Sequence, residues 1–151
     1  MPIPAVRPPG ATFVQANETS DPTRPHPCQL FHNNGDGTFR DVSIQAGLDL
    51  RIYAKGVAVG DIDNDGHLDL YFNDFRSSQA ASRLLRNRGD GTFEDVTARW
   101  GVTGPPDRGF ACWFFDYDND GFLDLFAAGY EANKVDQELA PYLGTPAGRG
   151  G

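Results

Sequence analysis

One nine-residue acidic pattern occurs twice in the chain and strongly limits how the chain can fold. The first copy reads Asp-Ile-Asp-Asn-Asp-Gly-His-Leu-Asp from Asp61 to Asp69, and the second reads Asp-Tyr-Asp-Asn-Asp-Gly-Phe-Leu-Asp from Asp116 to Asp124. Carboxylates held this close together repel one another strongly unless a cation lies between them. The glycine at position 6 permits the tight coil that turns the side chains toward one point. The pattern therefore predicts a metal-binding loop at each copy.

The chemistry of the side chains predicts which ion these loops hold. Oxygen ligands on a flexible loop favour Ca²⁺ over Mg²⁺, so we predict two Ca²⁺ sites. The expected ligands are the carboxylates at positions 1, 3, 5 and 9 and the backbone carbonyl at position 7. They are Asp61, Asp63, Asp65, Asp69 and the carbonyl of His67 in the first loop, and Asp116, Asp118, Asp120, Asp124 and the carbonyl of Phe122 in the second. The simpler alternative is an acidic turn without a metal, because turns favour Asp and Gly.

The residues around the loops exclude the helix-loop-helix calcium motif, which opens with the same spacing. That motif needs a glutamate at position 12 and a helix on each side. Position 12 is Phe72 in the first copy and Ala127 in the second. Short apolar runs at 56–60 and 68–72 flank the first loop, and they have the length and composition of strands. Each loop is therefore predicted to join two strands.

A second motif also occurs twice and predicts a β-hairpin. Residues 30–42 read Leu-Phe-His-Asn-Asn-Gly-Asp-Gly-Thr-Phe-Arg-Asp-Val, and residues 84–96 read Leu-Leu-Arg-Asn-Arg-Gly-Asp-Gly-Thr-Phe-Glu-Asp-Val. Each copy has a Gly-Asp-Gly turn between two runs of strand character. The hairpins are 54 residues apart and the acidic loops are 55 residues apart. A nearly constant period across two motifs indicates one repeated structural unit.

The repeated unit has four short antiparallel strands, because a loop-linked strand pair is followed by a hairpin. A repeated four-stranded sheet is typical of a β-propeller, so we predict an all-β fold with about two blades' worth of antiparallel sheet. The predicted division has a Pro-rich leader, a repeat region and a Gly-rich tail. The leader, which is predicted to be extended or disordered, covers 1–28, the repeat region covers 29–143 and the tail covers 144–151. Within the repeat region we predict a half blade at 29–43, a full blade at 56–97, a half blade at 109–128 and an insertion at 129–143. A short helix is predicted within the insertion, at 133–139.

These motifs resemble a known repeat family. The Asp-x-Asp-Asn-Asp-Gly-x-Leu-Asp-Leu loops and Asn-x-Gly-Asp-Gly-Thr-Phe hairpins are similar to the FG-GAP and VCBS-type repeats of integrin α-like β-propellers. The resemblance is closest to the ASPIC/UnbV, cartilage acidic protein-like repeat proteins. It implies calcium held by the Asp-rich loops, an extracellular or periplasmic location, and a role in cell adhesion or ligand binding. The Phe-Gly and Gly-Ala-Pro signatures of integrin repeats are absent from the sequence, so no integrin-specific function is implied.

Charge and composition exclude several classes of partner. The net charge of -8 and the pI near 4.6 argue against binding to nucleic acid or to an anionic membrane surface. Eight of the 21 acidic residues lie in the two acidic loops, so much of this charge belongs to the predicted metal sites. No stretch approaches the roughly 18 apolar residues of a membrane span. The N-terminus also lacks the apolar run of a secretory signal peptide, which predicts either a chain that is not exported as written or a part of a longer chain.

The sequence predicts no catalytic residue and therefore a protein that is not an enzyme. His26, His32 and His67 fall in unrelated contexts, and no serine or cysteine has a base at a recognisable spacing. We predict a calcium-binding, non-catalytic module for extracellular interaction with a protein or carbohydrate ligand. The alternative is a lectin-like sugar binder, or an accessory part of a carbohydrate-active or other hydrolytic enzyme.

The number of predicted blades raises the question of how the ring closes, because propellers need about four to eight blades. The first expectation is that this chain is a fragment whose missing blades belong to a longer chain. The alternative is a homo-oligomer in which the N-terminal hairpin of one chain completes the C-terminal half blade of another, so that exposed strand edges are covered.

Cysteines, strand aromatics and one tripeptide complete the predictions. Cys112 lies in an apolar run at 110–115 and is predicted to be a small buried hydrophobe, with a disulfide to Cys28 as the alternative. The residues at 88–90 spell Arg-Gly-Asp, the tripeptide that integrins bind. The first hairpin has Asn-Gly-Asp at the equivalent positions, so the hairpin turn explains these residues without a receptor.

Six aromatic residues on predicted strands are expected to pack in the core. They are Phe39, Tyr71, Phe93, Trp113, Phe114 and Phe115.

Overall fold

The computed structural model describes residues 12–17, 26–75, 82–102, 104 and 108–130. Within these ranges the chain forms nine strands in three antiparallel sheets and no helix, which confirms the all-β prediction. None of the described residues forms a helix long and apolar enough to cross a membrane. The strands are β1 (Thr12–Gln15), β2 (Gln29–Asn33), β3 (Phe39–Asp41), β4 (Ala54–Gly60), β5 (Asp69–Asp74), β6 (Arg83–Asn87), β7 (Phe93–Asp95), β8 (Arg108–Phe115) and β9 (Asp124–Tyr130).

The central sheet is a complete four-stranded blade with the order β4-β5-β6-β7. Strands β4 and β5 pair up to Gly60 opposite Asp69, so the first acidic loop joins them at the end of the pair. Strands β6 and β7 form the predicted hairpin, whose turn uses Gly89 and Gly91 with φ of 76° and 87°. Only glycine adopts such angles at low cost. The predicted unit, a loop-linked strand pair followed by a hairpin, is confirmed in this sheet.

The N-terminal sheet has one strand more than the sequence predicted. Its order is β1-β2-β3, and β1 pairs with β2 with Phe13 opposite Phe31. Residues 1–28 were predicted to be a leader outside the repeat region, whereas Thr12–Gln15 belong to the sheet as β1. The physical reason is that β2 would otherwise expose an unpaired edge, which β1 covers.

The C-terminal sheet consists of β8 and β9, with Trp113 opposite Phe126. Strand β9 continues to Tyr130, so residues 129–130 extend the strand and do not begin the predicted insertion. The predicted helix at 133–139 and the Gly-rich tail at 144–151 lie outside the described residues.

The central sheet is buried on both faces, because one end sheet packs against each of them. Strand β5 is buried along its whole length. Since neighbouring side chains on a strand point to opposite faces, Phe72 packs in the cluster with Leu30 of the N-terminal sheet. Tyr71 packs in the other cluster, with Phe114 and Leu125 of the C-terminal sheet.

A buried amide also joins the central sheet to the C-terminal sheet. The Asn73 Nδ2 atom donates to the carbonyls of Ala111 at 3.2 Å and Ala128 at 3.0 Å. The hydroxyl of Ser82 donates to the Asn73 Oδ1 atom at 3.2 Å. Strand β8 approaches this amide closely because Gly109 has no side chain; a Cβ atom there would lie 2.1 Å from the Asn73 Oδ1 atom.

Both cysteines are free thiols, so the alternative prediction of a disulfide between Cys28 and Cys112 is wrong. Cys28 lies in the cluster between the N-terminal and central sheets, whereas Cys112 packs against the other cluster. Cys112 was predicted to be a small buried hydrophobe; it packs against the core as predicted but is only half-buried. Burial raises the pKa of the Cys112 thiol to about 11 and also raises the pKa of Cys28.

The prediction that the strand aromatics fill the core is right for three residues and wrong for three. Tyr71 is buried, and Phe93 and Phe114 pack against the two clusters. The other three lie on the outer faces of the end sheets, where the described residues provide no further sheet to cover them. They are Phe39, Trp113 and Phe115, which are 49%, 47% and 36% exposed.

Candidate metal centre

The acidic loops follow β4 and β8 and have the same backbone shape. Each contains two residues with positive φ: Asn64 at 58° and Gly66 at 87° in the first loop, and Asn119 at 60° and Gly121 at 89° in the second. Asparagine is among the few residues other than glycine that adopt this left-handed conformation readily. The glycine at position 6 was predicted to bend the loop, and the repeated asparagine at position 4 is a second signal of the same kind.

The first carboxylate of each loop closes the loop by accepting backbone hydrogen bonds. Asp61 accepts from the N–H of Asp65 at 3.1 Å and from the N–H of Gly66 at 2.9 Å. Asp116 accepts from the N–H groups of Asp120 and Gly121 at 3.1 and 3.0 Å. Loop shape is therefore set by side chains within the loop itself.

The carboxylates at positions 1, 3 and 5 come together in both loops. One oxygen from each lies within 4.8 Å of the other two. Two oxygens bound to one Ca²⁺ at 2.3 to 2.6 Å are at most about 5 Å apart, so this spacing suits a single shared cation. The two groups, called the carboxylate triads below, are Asp61, Asp63 and Asp65, and Asp116, Asp118 and Asp120.

The carboxylate at position 9, which remains a predicted ligand, also accepts backbone hydrogen bonds. Asp69 is fully buried, and its two oxygens accept from the N–H of Ile62 at 3.0 Å and from the N–H of Asn87 at 2.7 Å. Burial raises the pKa of Asp69, and the nearby negative charges of Asp63 and Asp65 act in the same direction. The structure thus uses Asp69 to tie the first loop to the end of β6.

The corresponding residue of the second loop, Asp124, is exposed and accepts from the N–H of Tyr117 at 2.9 Å. At position 7, the N–H of His67 donates to Asp65 at 2.9 Å and the N–H of Phe122 donates to Asp120 at 2.8 Å. The carbonyls of His67 and Phe122 remain predicted ligands.

Arg86 is a functional residue that the sequence did not predict. Its Nε atom donates to Asp63 at 2.5 Å, and its Nη2 atom donates to Asp65 at 2.6 Å. The hydrogen bond to Asp63 raises the pKa of Arg86. A fixed positive charge therefore lies beside the first triad, whereas no ion pair among the described residues involves the second loop. No signal in the loop reveals Arg86, because it lies on β6 and reaches the loop through strand pairing.

One oxygen of the first triad lacks a partner even with Arg86 in place. The Asp63 Oδ1 atom is buried and accepts no hydrogen bond. A buried carboxylate oxygen without a partner is costly, whereas a bound cation would satisfy it. The residues of the first loop therefore fit a metal ion by an observation that is independent of the sequence pattern.

The two acidic loops also touch each other. The Asn64 Nδ2 atom donates to the carbonyl of Gly121 at 3.0 Å. The first loop is likewise in contact with the hairpin turn that holds the Arg-Gly-Asp tripeptide, since a Cβ atom at Gly89 would lie 2.4 Å from the His67 Nε2 atom. Arg88 pairs with Glu94 at 3.6 Å. These contacts agree with the interpretation of the tripeptide as part of a hairpin turn.

The repeat geometry and the acidic loops define a known class of protein. The chain matches the family of FG-GAP-like repeats over residues 16–72 and 75–127. This match covers most of the chain, so the chain belongs to the FG-GAP-like repeat family, and the predicted resemblance is confirmed.

Individual relatives are also similar to the chain. Cartilage acidic protein 1 from Homo sapiens is 30% identical over 99 residues, which are 64% of this chain and 14% of that protein. The protein of the same name from Mus musculus is 32% identical over 98 residues, and the one from Xenopus tropicalis is 30% identical over 99 residues. The matched part of the chain spans 14% to 15% of the length of these relatives.

The different environments of the two position-9 carboxylates give a testable prediction. Asp69→Ala is expected to lower the free energy of unfolding by about 2 to 4 kcal/mol in EDTA, because two backbone N–H groups lose their acceptor in a buried place. The matched variant Asp124→Ala removes an exposed carboxylate and is expected to cost about 1 kcal/mol or less. Urea unfolding followed by circular dichroism measures both, and equal losses would contradict a structural role specific to Asp69.

Proposed function

We propose that this chain is a calcium-binding, non-catalytic module of an extracellular β-propeller that binds a protein or carbohydrate partner. The observation that carries the calcium part is the pair of carboxylate triads at equivalent places in two repeats. The unpartnered Asp63 Oδ1 atom supports it independently. An extracellular location is supported by the family and by the relatives, which are named as acidic proteins of cartilage.

In this proposal the metal has a structural role. The first triad and the carbonyl of His67 hold one Ca²⁺, and the second triad and the carbonyl of Phe122 hold another. Each ion cancels the repulsion among carboxylates in the loop between the first two strands of a blade. Because the ion binds the folded loop and not the unfolded chain, its binding free energy adds to the stability of the fold.

The two sites are not equivalent in this proposal, because Arg86 lies beside only one of them. The guanidinium of Arg86 already occupies one oxygen of Asp63 and one of Asp65. An ion entering the first loop must share these carboxylates with a positive charge, which repels it. We therefore assign the tighter calcium site to the second loop.

The protonated thiol of Cys112 supports a non-catalytic role in this proposal. The pKa of Cys112 is raised to about 11 by burial, so its thiol is protonated near neutral pH and reacts poorly. In this proposal the carboxylates of the triads hold an ion, so they are not free to act as a catalytic acid and base.

A cavity supports carbohydrate as the second candidate ligand class. It has a volume of about 1020 Å³ and lies between the N-terminal and central sheets beside the first acidic loop. Its lining combines the apolar residues Val14 and Phe93 with the hydrogen-bonding residues His32, Arg40 and Asn87. Apolar walls with a few polar groups are typical of small-ligand sites, and a sugar ring offers both an apolar face and hydroxyl groups to such a lining.

Calcium dependence of thermal stability tests the metal role. Millimolar Ca²⁺ is expected to raise the melting temperature of the EDTA-treated chain, with a gain of about 2.7 kcal/mol for each site when free Ca²⁺ exceeds the dissociation constant about 100-fold. Asp61→Ala and Asp116→Ala should each reduce the gain, and the double variant should abolish it. The control is Asp49→Ala, an aspartate outside the loops, which should keep the full gain. A full gain in the double variant would contradict the proposal.

A glycan array tests the carbohydrate candidate. If the cavity holds a sugar, the parent chain is expected to bind a subset of glycans, and Arg40→Ala should weaken that binding about tenfold or more while circular dichroism shows an intact fold. Arg99→Ala is the matched control, because Arg99 lies outside the cavity and pairs with Glu94. Glycan binding that Arg40→Ala leaves unchanged would rule out this cavity as the site.

A further inference from the structure

A chain of hydrogen bonds crosses from the first acidic loop to a carboxylate of the second. The Asn64 Nδ2 atom donates to the carbonyl of Gly121 at 3.0 Å. That carbonyl shares a peptide group with the N–H of Phe122, which donates to the Asp120 Oδ1 atom at 2.8 Å. A side chain of the first loop therefore holds the peptide group that in turn holds a member of the second triad.

The peptide group between Gly121 and Phe122 can transmit this contact because it is planar. Once the direction of its carbonyl is set, the direction of its N–H is set as well. Hydrogen bonds at both ends of one peptide group also polarise and strengthen each other. The next carbonyl along the chain, that of Phe122, is the predicted ligand at position 7. The orientation of Asp120 thus depends on a group that the preceding repeat supplies.

An apolar contact at the base of the loops keeps them close enough for this bond. Gly60 directly precedes the first loop, and a Cβ atom there would lie 2.9 Å from the Leu123 Cδ1 atom and 3.0 Å from the Phe114 Cδ2 atom. Leu123 belongs to the second loop and follows Phe122. Because close-packed groups leave little room for movement, the spacing between the two loops is fixed at this point.

The place of Asn64 depends on the closure of the first loop. Asn64 lies between Asp63 and Asp65, two carboxylates of the first triad, and has a φ of 58°. The N–H of Asp65 donates to Asp61 at 3.1 Å, which closes the loop directly after Asn64. The side chain that reaches the second loop is therefore carried by the backbone that brings the first triad together.

The asparagine at the same position of the second loop does not make the reverse contact. Asn119 has a φ of 60°, so its backbone matches that of Asn64. Among the described residues, the two loops share the hydrogen bond from Asn64 and none from the side chain of Asn119. The first loop thus contributes a group to the second, whereas the second contributes no such group to the first.

On the basis of the calcium function proposed above, we propose that Asn64 is a positioning residue of the metal centre in the second loop and couples the two centres. The bond from Asn64 forms when both loops are closed, and the closed loop is the form that binds an ion. An ion in either loop therefore favours an ion in the other. Thermodynamic linkage requires the same factor in both directions.

A Ca²⁺ titration followed by nuclear magnetic resonance reads the two loops separately. The N–H of Gly66 donates to Asp61 and the N–H of Gly121 donates to Asp116, so these two signals report the first and the second loop. About 0.5 M salt in the titration screens the charges of one loop from those of the other.

Asn64→Gly removes the amide, and glycine adopts the positive φ at low cost. The Ca²⁺ concentration that half-saturates the second loop is expected to rise about two- to tenfold, which corresponds to the net contribution of one hydrogen bond. The matched control is Asn119→Gly, which removes the same side chain at the same φ and should leave half-saturation of the first loop unchanged. Circular dichroism verifies that both variants fold.

A double variant tests the coupling. Asp116→Ala disables the second loop and is expected to raise the half-saturation concentration of the first loop about two- to tenfold, because the link no longer favours the closed first loop. In a chain that already carries Asn64→Gly, Asp116→Ala should have no further effect on the first loop.

Two results would overturn the proposal. One is a half-saturation concentration of the second loop that Asn64→Gly leaves unchanged, and the other is an equal effect of Asp116→Ala with and without Asn64. If the signals of Gly66 and Gly121 both respond to Ca²⁺, such a result removes the link alone. If neither signal responds to Ca²⁺, the proposed calcium function fails together with the link.

Discussion

The concentration of negative charge in a turn between two strands is the constraint on which the rest of the structure depends. Each acidic loop closes on itself because Asp61 or Asp116 accepts backbone hydrogen bonds, and this closure brings the neighbouring carboxylates together. The loops connect the first two strands of a blade. Strand β5, which follows the first loop, is buried on both faces, so the register set at the loop determines which side chains reach each core.

The contacts around the first loop show how the fold manages this charge. Asp69 is tied to backbone N–H groups, Arg86 pairs with Asp63 and Asp65, and one oxygen of Asp63 is left for a cation. The second loop lacks such an arginine among the described residues but touches the first through Asn64. A repeat unit with one geometry can therefore support two sites of different charge balance, depending on what the neighbouring strands contribute.

Much of the fold was predictable because its signals are local and repeated. The acidic loops, the hairpin turns and their period gave the strand order of the central sheet. Strand β1 was missed because it has neither motif, and only its pairing with β2 identifies it. Arg86 was missed because it lies 21 residues after Asp65 in sequence. The exposure of Trp113 was not predicted either, since a repeat does not show whether a neighbouring sheet is present.

Only part of the predicted ligand set depends on tertiary contacts. Side chains at positions 1, 3 and 5 converge through the local turn alone, as the spacing indicated. The environment of Asp69 depends instead on Asn87, which lies at the end of β6 and outside the loop.

Counting calcium ions per chain tests the central claim most directly. Equilibrium dialysis of the EDTA-stripped chain against millimolar Ca²⁺, followed by elemental analysis, gives this number. The account predicts two ions per chain, one for each acidic loop, with the second loop filled at the lower Ca²⁺ concentration because Arg86 pairs with the first. A chain that retains no calcium under these conditions would contradict the account, since the carboxylate triads would then be acidic turns without a metal.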